Sequence, residues 1–255
     1  MKLKFLGTGT SQGIPVIGST HPVCLSKDQK DKRLRASVMI TDDEGKKILI
    51  DCGPDFRQQM LTNEENNVDA LLITHEHNDH VIGLDDLRPI IFNSGKNTPI
   101  YCSEKVEKEI KNRFPYAFTE KKYPGAPSFE LIKIENKPFK IGKTEITPIE
   151  VLHYKLPVFG FKFKNLAYIT DASYISEKEQ EKLKNLDVLI INCLRKDEPH
   201  IAHFILPDIL ELEKKLKPKE IYLTHISNKF GFHDEIERIT PENIHPAYDS
   251  LEIEF

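Results

Sequence analysis

Four short apolar runs in this chain each end at a residue able to hold a metal or a proton, and that pattern limits the fold more than any other feature. Residues 47–50 run into Asp51, 70–73 into Thr74 and His75, 166–170 into Asp171, and 221–224 into His225. Apolar runs of this length are too short for buried helices and suit strands covered on both faces. Chemistry gathered at strand ends is what a rigid sheet offers to a cleft through its loops.

Helix signals surround these strands. Ser176-Glu177-Lys178-Glu179 has the form of a capping box, the serine satisfying a free amide and the glutamate reciprocating. A second helix is expected from about Pro207 to Leu216, with Ile205, Ile209, Leu212 and Leu216 on one stripe and Pro218 stopping it. A third is expected to start at Ser103, ahead of residues 104–113, while residues 129–163 read as consecutive strands. No repeat or Pro/Gly/Ser linker divides the chain. Residues 1–255 are therefore expected to form a single α/β domain of two mixed β-sheets with outer helices.

Two long loops interrupt the pattern. Residues 8–35 follow the opening Gly7-Thr8-Gly9-Thr10-Ser11-Gln12-Gly13, and a loop of that length in a compact domain is functional or tied down. Residues 113–128 carry Phe114, Tyr116, Phe118 and Tyr123, which read either as a stacking surface for a base or as core or subunit packing.

Charge and cysteine usage narrow the partners. With 36 basic against 40 acidic residues and a net charge of −4, the chain lacks the basic face expected of a nucleic-acid binder. The run Lys32-Arg33-Leu34-Arg35 reads either as a phosphate contact or, as short charge runs more usually are, as a solvated cluster. No apolar run approaches a membrane span, and the first six residues look like a strand rather than a signal-peptide core. Four scattered cysteines without a C-x-x-C pair point to a reducing, cytoplasmic setting and no disulfide framework.

The strongest chemical signal is His75-Glu76-His77-Asn78-Asp79-His80. Histidines two apart on a loop can chelate one ion, and Asp79 with His80 can turn to a second. Imidazole and carboxylate donors suit zinc, manganese or iron, and the lack of thiolates nearby argues against a closed structural zinc. Asp51 is expected to orient one of these histidines rather than bind metal itself.

This stretch resembles the H-x-H-x-D-H motif of the metallo-β-lactamase superfamily, and the resemblance extends over nearly the whole chain. It implies an αβ/βα sandwich with two divalent metals in the cleft. It also implies a first site of His75, His77, His153 and Asp171 and a second of Asp79, His80, Asp171 and His225. Gly7 to Gly13, the stretch Gly83-Leu84-Asp85-Asp86-Leu87-Arg88-Pro89, and His203 standing 22 residues before His225 are similar to the branch containing the phosphoribosyl cyclic phosphate phosphodiesterase. That likeness implies a small cyclic or nucleotide-like phosphodiester as substrate, attacked by a hydroxide held between the metals. His203 and Asp79 would be catalytic and Arg88 a phosphate contact. His200 and His233 match no motif and read as surface or supporting residues. A homodimer is plausible for such a protein.

Rival readings are a transfer-RNA 3′-processing nuclease, a lactone or thioester hydrolase, and a metal-stabilised binding module without activity. The branch often carries a further structural zinc, but its positions here are Ser19, His21, Cys24 and Asn228. Only His21 and Cys24 are strong zinc ligands, so two metals per chain are expected and none near Cys24.

Overall fold

The computed structural model describes residues 1–119 and 125–255. The chain first lays down β1 (Lys2–Gly7), β2 (Ser37–Thr41), β3 (Lys47–Ile50), β4 (Ala70–Leu72), β5 (Pro99–Cys102) and β6 (Glu130–Lys133). It continues with β7 (Phe139–Ile141), β8 (Thr144–His153), β9 (Leu156–Phe163), β10 (Leu166–Ile169), β11 (Val188–Asn192), β12 (Glu220–Thr224) and β13 (Ile244–Pro246), then returns as β14 (Glu252–Glu254). These build two mixed sheets of seven strands, ordered β14-β1-β2-β3-β4-β5-β6 and β13-β12-β11-β10-β9-β8-β7. In each sheet an antiparallel half gives way to a parallel one. Strands β3 to β6 are parallel in the first, and β10 to β13 in the second.

Alternation along the strands decides how the layers stack. Val38, Ile40, Ile48, Ile50, Ala70 and Leu72 of the first sheet meet Phe161, Phe163, Tyr168, Val188 and Ile190 of the second in one core. Their sequence neighbours point the other way. Met39, Leu49 and Leu71 pack beneath helices α2 (Phe56–Thr62), α4 (Arg88–Ser94) and α5 (Glu104–Arg113), reached after the short α1 (Pro22–Leu25) and α3 (Asn78–Val81). Leu189 and Ile191 pack beneath α7 (Leu206–Leu216) and α8 (His233–Ile239), together with Leu183 and Leu186, which follow α6 (Glu177–Lys182). The result is the expected αβ/βα sandwich. Strands buried on both faces read as unbroken apolar runs because each face has its own core.

Helix α7 shows how the sequence closes an outer layer. Asp208 reaches back to the Ile205 amide at 2.9 Å, and Lys217 takes the left-handed conformation that ends the helix just before Pro218. Ile209, Leu212 and Leu216 are buried against the second sheet, each stabilising the fold by roughly 1.5–3 kcal/mol. Ser103 caps α5 as expected, accepting from the Val106 amide. The capping box at α6 is only half made: Ser176 accepts from the Glu179 amide, but Glu179 turns inward. Its carboxylate takes the Glu150 amide and Asn136 Nδ2 instead, tying the start of α6 to β8.

Three other expectations change on folding. Phe114 is buried, and Phe118 and Tyr116 pack with it around Phe129, so these rings are core rather than a stacking surface; Tyr123 lies outside the described residues. The charge run is not solvated. Arg33 is buried and donates to Thr8 Oγ1 at 2.9 Å and to the Ala247 carbonyl, with His233 Nδ1 3.2 Å away. Arg35 pairs with Asp55 at 2.8 Å. His233 is likewise buried, not a surface residue, its amide donating to Asp31 at 2.7 Å. Folding brings residues far apart in sequence onto one another here, and a buried guanidinium must find acceptors. The loop of residues 8–35 is held by the same network and by an apolar cluster of Ile14, Val23 and Cys24 with Val16 and Phe232. Among the described residues no helix is long and apolar enough to cross a membrane.

Candidate metal centre

The polar ends of the parallel strands converge at one edge of the sandwich. Three of them turn their terminal residue into the cleft with left-handed backbone: Asp51 after β3 (φ 64°), Asp171 after β10 (φ 56°) and His225 after β12 (φ 54°). Non-glycine residues avoid that region, at a cost of order 1–3 kcal/mol each, and its clustering at one cleft marks a site. The His75–His80 stretch follows β4, with His77 capping the single turn of α3 that carries Asp79 and His80. That turn is clamped onto residues 52–53: the Cys52 amide donates to the His80 carbonyl at 2.7 Å and the Gly83 amide to Cys52 at 2.9 Å. A Cβ on Gly53 would stand 2.1 Å from the Asp79 carbonyl oxygen, and one on Gly83 2.0 Å from that of Gly53. Only glycine admits such backbone contact.

Ligating atoms of His75, His77 and His153 gather within 4.8 Å of one another, as do those of His75, His80 and Asp171, and of Asp79, His80 and His225. His153, Asp171 and His203 make a further such group. Asp171 therefore stands between the two halves of the cluster, with Oδ2 3.2 Å from His80 Nε2 and Oδ1 3.2 Å from His225 Nε2. His203 Nε2 sits 3.1 Å from Asp171 Oδ1. Every metal position expected from the sequence lies in this cluster. Arg88 does not: its guanidinium pairs with Asp85, whose other oxygen takes the Tyr116 hydroxyl at 2.7 Å.

The donor set fits divalent cations. His75 Nε2, His80 Nε2 and both ring nitrogens of His225 are buried without a hydrogen-bond partner, an expensive condition unless something else uses their lone pairs. His80 Nε2 lies 3.2 Å from Asp79 Oδ2 and from Asp171 Oδ2, yet bonds to neither. The opposite ring nitrogens are anchored. His80 Nδ1 meets Asp51 Oδ2 at 2.7 Å, His75 Nδ1 meets Thr74 Oγ1 at 3.0 Å, and His153 Nδ1 meets the Ala202 carbonyl at 2.8 Å. Anchoring one nitrogen aims the other's lone pair at the cluster.

Electrostatics prepare the same outcome. Burial, helped by the facing His80, holds His75 well below its ordinary pKa, and burial with His153 lowers His77, so both are neutral. Burial works to raise Asp171 and Asp79, but His225 and His80 outweigh it and keep both carboxylates ionised. Burial acts to lower His80, yet Asp51, Asp171 and Asp79 together raise it. A cation entering there displaces that proton.

Residues 46–226 match the beta-lactamase superfamily domain. A diphosphatase from the PhnP family has a solved structure that superimposes with a TM-score of 0.92 at 38% identity, covering 100% of this chain and 97% of that one. The chain belongs to the metallo-β-lactamase superfamily, in its PhnP-like branch. Among curated proteins it is 39% identical over 253 residues to an octanoyltransferase of Porphyromonas gingivalis W83, covering 99% of this chain and 51% of that protein. It is 28% identical over 174 residues to a ribonuclease Z of Methanococcus maripaludis C6, covering 65% of this chain and 49% of that protein. The chain thus spans about half the length of these curated relatives.

Sequence reasoning missed several supports of this superfamily site. Asn192 braces the Asp171 turn, its Oδ1 accepting from the Ala172 amide at 2.7 Å and its Nδ2 donating to the Ala172 carbonyl at 2.9 Å. A signal was available, since β11 is another apolar run ending in a polar residue. Thr74, which donates its hydroxyl to Asp51, stood beside His75 in plain view. The Ala202 carbonyl gave none, because backbone contacts leave no trace in residue type. In the long loop, His21 Nδ1 accepts from the Val23 amide at 3.3 Å and Cys24 Sγ from the Val16 amide at 3.5 Å.

Proposed function

We propose that this hydrolase is a dinuclear phosphodiesterase acting on a small cyclic or nucleotide-like phosphodiester, or on the related phosphoanhydride linkage of a diphosphate ester. The observation that carries the reading is Asp171: one buried carboxylate facing His80 on one side and His225 on the other, so that two cations could share it. His75, His77 and His153 would hold one cation and Asp79, His80 and His225 the other. Two such ions supply Lewis acidity and lower the pKa of a bound water toward neutrality.

The chain's own residues do the rest. The left-handed turns at Asp171 and His225 hold their side chains at the cleft, so no reorganisation is needed when charge develops on phosphorus-bound oxygens. Burial draws the metal-free His203 down to about 4 against its contact with Asp171. Placed with Nε2 at the cleft, the neutral His203 is the group that donates a hydrogen bond to the departing oxygen as charge develops on it. The 38% identity to a diphosphatase supports phosphorus as the centre attacked.

A ribonuclease reading draws on the ribonuclease Z relatives. Against it stand 40 acidic residues to 36 basic, a poor balance for holding a polyanion. Acyl transfer has little support, since the octanoyltransferase is about twice this length and Cys24, Cys52, Cys102 and Cys193 are all buried. Free thiols also agree with a cytoplasmic setting.

The test is full-length protein stripped by chelator and reconstituted with zinc or manganese. It is assayed on bis(p-nitrophenyl) phosphate, a cyclic nucleotide and a nucleoside diphosphate ester, beside a lactone, a thioester and a precursor tRNA. Metal-dependent turnover confined to the phosphorus substrates of low mass is expected. Turnover of the lactone, thioester or precursor tRNA in their place would overturn the reading.

A further inference from the structure

His225 is held differently from the other histidines of the cluster. His75, His80 and His153 each have one ring nitrogen anchored, by Thr74, Asp51 and the Ala202 carbonyl, whereas neither nitrogen of His225 has a hydrogen-bond partner. Its ring lies within 18° of parallel to that of His203, 4.9 Å away, which limits tilting but anchors nothing in the ring plane. What places His225 is therefore its backbone, which leaves β12 with φ 54°.

That backbone is gripped by the opening Gly7–Gly13 loop. The Ile226 amide donates to the Thr8 carbonyl at 2.9 Å, and the Thr10 amide to the Ile226 carbonyl at 3.0 Å. On its other side Gly9 pairs with residues 34–36: its amide donates to the Leu34 carbonyl at 2.7 Å, and its carbonyl accepts the Ala36 amide at 3.0 Å. A Cβ on Gly9 would stand 2.8 Å from the Arg33 carbonyl oxygen, so the segments meet too closely for a side chain there. Residues 8–10 prolong β1 of the first sheet, and Ile226 prolongs β12 of the second. This short ladder joins the two sheets beside the cleft.

One side chain locks the join. Thr8 is fully buried; its hydroxyl donates to Asp249 Oδ1 at 2.7 Å and accepts from Arg33 Nη1 at 2.9 Å. Asp249 Oδ2 accepts the Leu34 amide at 2.7 Å, and Arg33 also reaches the Ala247 carbonyl. The hydroxyl thus ties the segment that grips Ile226 to the loop before β2 and to residues 247–249.

We propose that Thr8 is a positioning residue for the second cation site. Its hydroxyl fixes residues 8–10 against Ile226, and that grip sets where His225, carried by the second sheet, stands relative to Asp79 and His80, carried by the first. Donor atoms must stand within about 0.2 Å of their proper distances, so a slight slip between the sheets is felt by an ion they share. The first site has a join of its own, the Phe159 amide donating to the Thr74 carbonyl at 3.1 Å. The proposal goes beyond the phosphodiesterase reading, since it concerns cation binding whatever the substrate.

Thr8→Val removes the hydroxyl and keeps the branched shape, whereas Thr8→Ser keeps the hydroxyl. Full-length, metal-free protein is titrated with zinc against a chromophoric chelator. In Thr8→Val one of the two stepwise affinities should weaken by about tenfold, as loss of an outer partner typically does, with the other unchanged and recovery in Thr8→Ser. Amide exchange followed by NMR in the metal-free chain should quicken by about tenfold at Thr10 and Ile226 and stay unchanged at Ile190 in the middle of the second sheet. Linkage lets the wild type answer without a variant: zinc loading should slow exchange at Thr10, which lies in the gripping loop and not on a ligand-bearing strand. Both affinities unchanged or equally weakened in folded Thr8→Val, exchange that quickens evenly through the sheets, or a Thr10 amide indifferent to zinc refutes the proposal. None of these measurements uses a substrate, so a wild type that cleaves no phosphodiester sinks the functional reading while they still decide the role of Thr8.

Discussion

Replacing Asp51 by asparagine should weaken binding of the cation held by His80, although Asp51 would touch no metal. Asp51 is fully buried, with Oδ1 accepting the Thr74 amide at 2.8 Å and Oδ2 accepting the Thr74 hydroxyl at 2.8 Å. The same Oδ2 takes His80 Nδ1 at 2.7 Å. A carboxylate accepts at both oxygens, whereas an amide accepts at only one end. If the asparagine oxygen faces Thr74, its amino group confronts His80 Nδ1. His80 must then carry its proton on Nε2, the nitrogen aimed at the cluster. If the amide is flipped, the amino group confronts the buried Thr74 amide. The first orientation thus puts a hydrogen where a metal needs a lone pair, and the second sets two donors face to face. Lost partners of this kind typically lower metal affinity about tenfold to a hundredfold, or about 1.4–2.7 kcal/mol. Competition titration of metal-free protein against a chromophoric chelator gives the two stepwise affinities. The weaker step should fall in Asp51→Asn while the fold, followed by circular dichroism, persists. Unchanged affinity in a folded variant would show that Asp51 does not set the state of His80.

Asp171→Asn should impair both cations, since one carboxylate faces both halves of the cluster; a variant retaining two metals and full rate would defeat the shared-carboxylate assignment. Gly83→Ala should destabilise the protein by about 3 kcal/mol or more and loosen the His80 turn, because its Cβ would meet the Gly53 carbonyl oxygen at 2.0 Å; chemical denaturation reads this directly. Asp42 links the sheets, accepting the Thr144 hydroxyl at 2.7 Å and the Glu44 and Lys46 amides, and although burial opposes it these contacts lower its pKa. Its stabilisation is thus present above pH ~4 and lost as pH falls through the lowered folded value, so the cost of Asp42→Ala, about 1–3 kcal/mol at neutral pH, should shrink in urea melts at acid pH. Anomalous scattering at the zinc edge should show two ions at the cluster and none bonded to Cys24 Sγ, whereas a strong peak there would restore the third site.

The sequence determined what is local or repeated. Apolar runs on β3, β4, β10 and β12 read directly because a strand buried on both faces must be apolar at every position. Helices α5 and α7 read from the Ser103 cap and the 209, 212, 216 stripe, since both signals lie within a few turns of backbone. The His75–His80 stretch also announced itself, because neighbours in sequence are neighbours on a short loop.

Contacts between distant segments were decided by the tertiary structure alone. Nothing in the order of residues says that Arg33 is buried against Ala247 and His233, 214 and 200 positions away, or that residues 52 and 53 clamp the Asp79 turn. Asp51, Asp171 and His225 were visible as strand endings, but not the left-handed backbone that turns them together. His200 is the sharpest case. Its side chain is an ordinary partly exposed imidazole until the turn at Ala202 sets Nδ1 against His203. Residue type states which atoms can donate or accept, and only the folded chain states which of them meet.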